Sequence, residues 1–193
     1  MARWEPDARG RLENAALELF QERGYANTTV QEIAARAGLT ERTFFRYFTD
    51  KREVLFSGSE NLEKAILDVI ERASAGATPL EIVGAAFEAA GSFIQERRSF
   101  SYARARNTLI TTNAELQERE LIKLASLGQA VTKALRARGV AEPAASLTAE
   151  LGVAIFKVGF QRWVSGKKPR DLPAHIRAAL DAVRLLVGAR SEG

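Results

Sequence analysis

The chain has 193 residues, of which 46% are hydrophobic and 27% charged, and a formal net charge of +4, the composition of an ordinary globular protein with enough apolar material for a core. It contains no cysteine and one histidine, His175, which excludes a disulfide framework, a thiolate metal site and a multi-histidine centre within one chain. The N-terminal MARWEPDARGR has no apolar signal-like core, and the longest apolar run, near Leu151 to Phe160, is broken by Lys157 and followed by Arg162, so no membrane span and a cytoplasmic location are expected.

Helical spacing recurs along the whole chain and alternating β patterns do not, so the expected fold class is all-α with about nine helices. A first helix is predicted from Pro6 or Asp7 to Arg23, with Leu12, Ala15, Ala16, Leu19 and Phe20 on one face and Gly24 at its end. Thr29-Val30-Gln31-Glu32 reads as a capping box that opens a second helix, ended by Gly38. Thr40 caps a third, in which Leu39 and Phe44 hold the positions of a hydrophobic staple. Asp50, three residues before Glu53, is expected to start a fourth and longer helix to about Arg72. Thr78-Pro79-Leu80-Glu81 restarts a helix that carries Ile82, Val83, Ala86, Phe87, Ala90 and Ile94 inward to about Glu96–Arg98. A short helix follows over Phe100 to Ile110. Asn113 then caps a long one, with Leu116, Leu121, Leu124, Leu127, Val131 and Leu135 as its apolar stripe, stopped by Gly139. Pro143 to Ser165 is strongly apolar, GKKPR is a basic loop, and Asp171 and Pro173 start a last helix to Gly188.

The third helix carries the chemistry. Phe44 and Phe48, four residues apart, share one side, while Arg42 and Arg46 project from the other, flanked by Thr43 and Phe45. An arginine can donate a bidentate pair to guanine O6 and N7, and an apolar ring can meet a thymine methyl. Thr40 at the helix start, Tyr47 and Lys51 suit phosphate oxygens. Two helices around a glycine turn, the second anchored on one side and basic on the other, form a helix-turn-helix over residues 29–48. Overall basicity is not the argument, because residues 1–56 hold nine basic and nine acidic side chains.

The block TTVQEIAARAGLTERTFFRYFTDKREVLF, with ELFQERGY before it, resembles the N-terminal domain of TetR/AcrR-type transcriptional regulators over about residues 9 to 56. The resemblance implies a DNA-binding domain at 1–53 and a ligand-binding and dimerisation domain at 54–193. It places Thr40, Arg42, Thr43, Phe45, Arg46, Tyr47 and Lys51 toward DNA, with Thr28 or Thr29 near a phosphate. Arg46-Tyr47 replaces the aromatic-histidine pair of many relatives, so base preference does not carry over. Arg9 or Arg11, in an N-terminal arm like those of some members, is expected to reach a phosphate.

The resemblance further implies a homodimer through the last two helices, a double-stranded operator of roughly palindromic sequence, and a small-molecule effector among the middle helices. Gly152, Ala154 and Gly159 would permit close approach at the dimer interface, and Leu151, Ile155, Phe156, Val183 and Leu186 would supply apolar surface; the same residues could instead fill the chain's own core. Phe87, Phe93, Phe100, Tyr102, Phe160 and Trp163 are the candidate effector lining, with core packing as the plainer reading. Arg97, Arg98, Arg104 and Arg106 are either a solvated surface or an anion site for an effector such as an acyl thioester. No carboxylate pair, cysteine–histidine pair or phosphate-cradling glycine loop suggests an enzyme, and no cofactor or metal is implied. The expected function is a homodimeric repressor released from DNA by its effector; a ligand-responsive activator, or a helical carrier or enzyme, is the alternative.

Overall fold

Several helix boundaries fall at capping residues in the computed structural model, which describes residues 7–167 and 171–188. Residues 2–6 of the expected N-terminal arm and residues 168–170 of the basic loop lie outside the described residues. Among the described residues there are nine α-helices and no strand: α1 Ala8–Arg23, α2 Val30–Arg36, α3 Glu41–Tyr47, α4 Ser59–Arg72, α5 Pro79–Arg97, α6 Phe100–Thr112, α7 Ala114–Ala137, α8 Ala144–Ser165 and α9 Leu172–Gly188. None is long and apolar enough to cross a membrane.

Local chemistry explains several of the ends. The Asp7 carboxylate accepts from the Gly10 N–H at the start of α1. Both capping boxes form: Thr29 with Glu32 opens α2, and Thr78 with Glu81 opens α5, where Pro79 occupies the first turn. The expected single helix from Asp50 to Arg72 does not. The Asp50 carboxylate accepts from the Arg52 and Glu53 N–H groups at 2.7 and 3.2 Å, which tightens the chain into a 3-10 turn over Glu53–Phe56. Gly58 then takes a φ of +86°, and α4 starts one residue later. The α7 stripe also needs correcting. Leu116, Leu127, Val131 and Leu135 are buried, but Leu121 is 59% exposed beside an exposed Ile122. Leu121 lies five residues beyond Leu116, roughly 140° around the helix.

The chain packs as two compact units. The first comprises residues through Gly58 together with Ser101–Glu120, so its composition differs from an N-terminal segment that ends at residue 53. Its core joins Leu12, Leu19 and Phe20 of α1, Ile33 of α2, Phe44 of α3 and Val54 of the 3-10 turn to Leu109 and Ile110 of α6 and Leu116 of α7. The second unit comprises Ser59–Phe100 and the chain from Leu121 on, in which α5, α8 and α9 pack mutually and α4 lies on α5.

Glycines set the closeness of that packing. A Cβ on Gly152 of α8 would stand 2.3 Å from Val83 Cγ1 and 2.6 Å from Phe87 Cε2 of α5, and one on Gly159 would stand 2.8 Å from the Ile176 Cα of α9. The close approach expected of these glycines between subunits therefore operates inside the chain. Ile155 and Phe156 are likewise buried, whereas Leu151 stays exposed on α8 and Leu186 on α9. Gln95 Oε1 accepts from the Leu172 N–H at 2.7 Å, and Arg177 pairs with Glu88, so α9 is also tied to α5 by polar contacts.

Gly152→Ala separates helix propensity from packing. Propensity alone would stabilise α8 by up to about 1 kcal/mol. Overpacking against Val83 and Phe87 outweighs this, and a net loss of about 1–3 kcal/mol in urea unfolding is expected. A gain in stability would show that α8 has room at this point.

Candidate nucleic-acid interface

The turn between α2 and α3 is built from backbone geometry and one long-range contact. Gly38 has a φ of +67°; its N–H donates to the Ala35 carbonyl, and the Leu39 N–H donates to the Ala34 carbonyl at 2.8 Å, a Schellman closure of α2. The guanidinium of Arg11, from α1, donates to the Ala37 carbonyl at the end of α2. Arg36 of α2 reaches back to Glu22 of α1 with two bonds of 3.0 and 2.9 Å, and Arg23 pairs with Glu32 at 2.7 Å. These pairs fix α2 on α1. Thr40 Oγ1 accepts from the Thr43 N–H at 3.2 Å and starts α3.

Anchoring decides which face of α3 is offered. Phe44 and Phe48 are buried with ring centroids 5.3 Å apart. Arg42, Arg46 and Phe45 point into solvent; Phe45 is 54% exposed, with its ring edge-on to Phe44 at 5.5 Å. Thr43 and Tyr47 are half-buried. Arg46 lies over the Tyr47 ring at 5.0 Å and donates to its hydroxyl at 3.2 Å, which holds one guanidinium plane in place. Among the described residues Arg42 has no hydrogen-bond or ion-pair partner, so its full donor fork is available.

Lys51 differs from a purely DNA-directed cation. Its ammonium donates to the Tyr25 and Thr28 carbonyls at 2.8 and 3.0 Å and lies 4.3 Å from the Tyr25 ring centroid. It ties the end of α3 to the α1–α2 corner and retains one of its three donors. Thr28 is buried, with its hydroxyl donating to the Gly24 carbonyl at 2.9 Å, so only Thr29 of the two threonines is exposed. Arg11 is committed to Ala37, whereas Arg9 is exposed, over the Phe48 ring at 5.6 Å. Sequence reasoning missed the part played by Arg11: its target is a carbonyl 26 residues away, and no local pattern marks such a contact.

The pairings also explain how a charge-neutral segment can present a basic face. Glu18, Glu22, Glu32 and Asp50 are neutralised by Arg36, Arg23 and Arg52, which leaves Glu41 as the acidic residue on α3 itself. Arg42 and Arg46 have no carboxylate partner among the described residues.

In the second unit, α8 carries a row of rings. Phe87–Phe156, Phe156–Phe160, Phe160–Trp163 and Trp163–Phe100 have centroid distances of 5.7, 6.0, 5.7 and 5.2 Å. Four of the six candidate effector residues are thus brought together, linked through Phe156, which sequence reasoning had assigned to the dimer surface. Phe93 instead carries the Arg97 guanidinium at 3.8 Å, and Tyr102 packs on the core of the first unit. A cleft of about 460 Å³ lies elsewhere, lined by Asp68, Val69 and Arg72 of α4, Glu81, Ile82 and Ala85 of α5, and the loop joining them. Arg106 of the basic stretch is engaged with the Leu55 carbonyl and Glu120, which weakens the anion-site reading of that stretch.

Comparisons with known proteins agree with this geometry. The family description "Bacterial regulatory proteins, tetR family" matches residues 13–57, and that of the MftR C-terminal domain matches residues 77–186. The transcriptional regulator TcmR of Streptomyces glaucescens is 41% identical over 81 residues, which is 42% of this chain and 36% of that protein, so the match spans about a third of that relative's length. A protein of Mycobacterium tuberculosis described as the mycofactocin biosynthesis regulator MftR is 24% identical over 183 residues, 92% of this chain and 88% of its own. Among solved structures, a TetR-family regulator of Syntrophomonas wolfei has a TM-score of 0.67 at 20% identity, covering 97% of this chain and 98% of that one. FadR of Bacillus subtilis, in complex with stearoyl-CoA, has a TM-score of 0.59 at 23% identity, covering 92% of this chain and 97% of that one.

Lys51→Ala tests the intramolecular contacts of this ammonium. Charge-assisted bonds to part-buried carbonyls are worth about 1.5–3 kcal/mol each, and their loss should appear as lowered stability in urea without DNA present. Unchanged stability would return Lys51 to a role on DNA alone.

Proposed function

Because the chain belongs to the TetR family of transcriptional regulators, we propose that it is a homodimeric repressor that reads a palindromic operator with α3 and leaves it when a small molecule binds the second unit. The observation that carries this reading is the outer face of α3, where Arg42, Phe45 and Arg46 stand exposed over a buried Phe44–Phe48 anchor. On that reading Arg42 and Arg46 donate to guanine edges and Phe45 meets a thymine methyl. Thr29, Thr40, Thr43, Tyr47 and the remaining Lys51 donor set the register on phosphates. The protein would act in the cytoplasm, where its DNA is.

Dimerisation through α8 and α9 is supported by apolar surface that one chain leaves exposed: Leu147, Leu151 and Val158 on α8, and Leu185, Leu186 and Val187 on α9, the last three between 66% and 78% exposed. A C2 pairing of this patch would bury it and give the assembly two recognition helices, one for each of two half-sites about 34–36 Å apart. The effector would occupy the region of the α8 ring row, which suits a ligand with an apolar body. The stearoyl-CoA bound by the Bacillus subtilis protein is of that kind. To release DNA, the ligand must bind the DNA-incompetent form several kcal/mol more tightly than the competent one.

A competition shift assay with genomic fragments tests the main claim: saturable retention of one or two palindromic sites is expected, and uniform retention or none would overturn it. Arg42→Ala should cost roughly 1–3 kcal/mol at the selected site and relax preference at one base step. Equal losses on selected and random duplexes would remove Arg42 from base reading. Leu185→Asp with Leu186→Asp should shift the protein to a monomer in light scattering and abolish operator retention; a dimer of unchanged mass would place the interface elsewhere.

A further inference from the structure

The first unit contains a segment that the DNA-binding sequence motif does not. Residues 101–120 pack with α1–α3, and their polar side chains converge on the stretch that directly follows the recognition helix. Arg119 of α7 donates to Glu53 of the 3-10 turn at 2.5 Å. Arg106 of α6 donates through Nε to the Leu55 carbonyl at 2.6 Å, lies over the Phe56 ring at 5.1 Å, and pairs with Glu120 of α7 at 3.0 Å. One turn before Arg119, Glu115 accepts a hydrogen bond from Tyr25; burial, and then the Glu115 charge, push that phenol up to about 12, which keeps it a donor. Tyr25 is also the residue whose carbonyl and ring hold Lys51.

These contacts come from a stiff source. A single residue, Asn113, separates α6 from α7, and its amide donates to the Leu109 carbonyl at 2.7 Å. Gln117 donates to the Thr111 carbonyl at 2.6 Å, so the last acceptors of α6 are bound by side chains at and just beyond the corner. The Glu53–Arg119 pair is mostly removed from solvent, with side-chain exposures of 18% and 32%, and is screened less than a surface pair. What it grips is short. Between the end of α3 and the 3-10 turn lie only residues 48–52, and Phe48, Val54, Leu55 and Phe56 are all buried in the same core as Phe44.

We propose that Arg119 and Arg106 are positioning residues for the recognition helix, clamping the Glu53–Phe56 turn so that α3 presents Arg42 and Arg46 in one pose. The proposal rests on the DNA-binding reading of α3. It assigns to residues more than 50 positions beyond the helix-turn-helix a part in operator affinity without contact to DNA.

The test uses the full chain and needs no effector. Duplexes are first enriched from a random-sequence pool with the unaltered protein. Arg119→Glu, Glu53→Arg and the double swap are then compared by affinity for the enriched duplex and by amide hydrogen exchange. Arg119→Glu should weaken retention by about tenfold and speed exchange in residues 41–56, with α5 and α8 exchanging as before. The swap, which restores an opposite-charge pair, should recover most of both effects. Arg106→Lys, which keeps the charge but loses the Nε bond to the Leu55 carbonyl, should give an intermediate loss. Unchanged affinity and exchange in Arg119→Glu would overturn the proposal, as would faster exchange throughout the chain with no recovery in the swap. Failure of the unaltered protein to enrich any duplex would overturn the DNA-binding reading itself, and the positioning role with it.

Discussion

Burial of Phe44 and Phe48 is the constraint on which the candidate interface depends. At seven residues α3 is far below the roughly 12–15 at which an isolated helix becomes even marginal in water, so its existence rests on packing. Two phenylalanine side chains taken fully out of water contribute on the order of 3–6 kcal/mol in transfer terms, more than a cap or a surface pair can supply. The same burial sets the rotation of the helix about its axis. With Phe44 and Phe48 inward, Arg42, Phe45 and Arg46 have no choice but to face out. Folding and function thus share one geometric decision.

Around that anchor the charges are sorted. Arg36 and Arg23 link α2 to its neighbour and to its own cap through Glu22, Glu18 and Glu32, and Arg52 closes on Asp50 within its own turn. The pairs are exposed, and each adds little to stability. Their importance is local: they satisfy four acidic side chains within α1, α2 and the Asp50 turn, and Arg42 and Arg46 keep no carboxylate partner among the described residues. A segment with equal numbers of acids and bases can therefore present a locally basic surface, and the electrostatics of the site follow from arrangement rather than from net charge.

Much of this was legible in the sequence because it is encoded locally. Thr29 with Glu32 and Thr78 with Glu81 are four-residue signals with a defined hydrogen-bond pattern, and Gly38 marks a turn that needs a positive φ. The i, i+4 spacing of Phe44 and Phe48 gave the buried side of α3 without reference to anything distant. What was not legible is what depends on partners far along the chain. Asp50 looks like a helix cap, and only the buried Val54, Leu55 and Phe56 beyond it, with Gly58, make a 3-10 turn the better solution. Leu121 looks like part of an apolar stripe until its angle to Leu116 is compared with the buried positions around it. Gly152 and Gly159 announce close approach, yet nothing local says whether the neighbour is another subunit or α5 and α9. Arg11, Arg106 and Arg119 meet carbonyls and carboxylates 26, 51 and 66 residues away, separations over which no sequence periodicity operates.

The glycine contacts on α8 have a further consequence for how a guest molecule could reach the ring row. At Gly152 the α8 backbone sits directly against Val83 and Phe87, with no side chain of its own that could swing aside. Any opening at that end must come from the Val83 and Phe87 side chains of α5, both fully buried. At the other end Phe160 and Phe100 are half-exposed beside a buried Trp163. The row thus runs from a closely packed end at Gly152 to a partly solvent-exposed end at Phe100 and Phe160. A guest of the kind proposed would meet the half-exposed rings first and the glycine seam last.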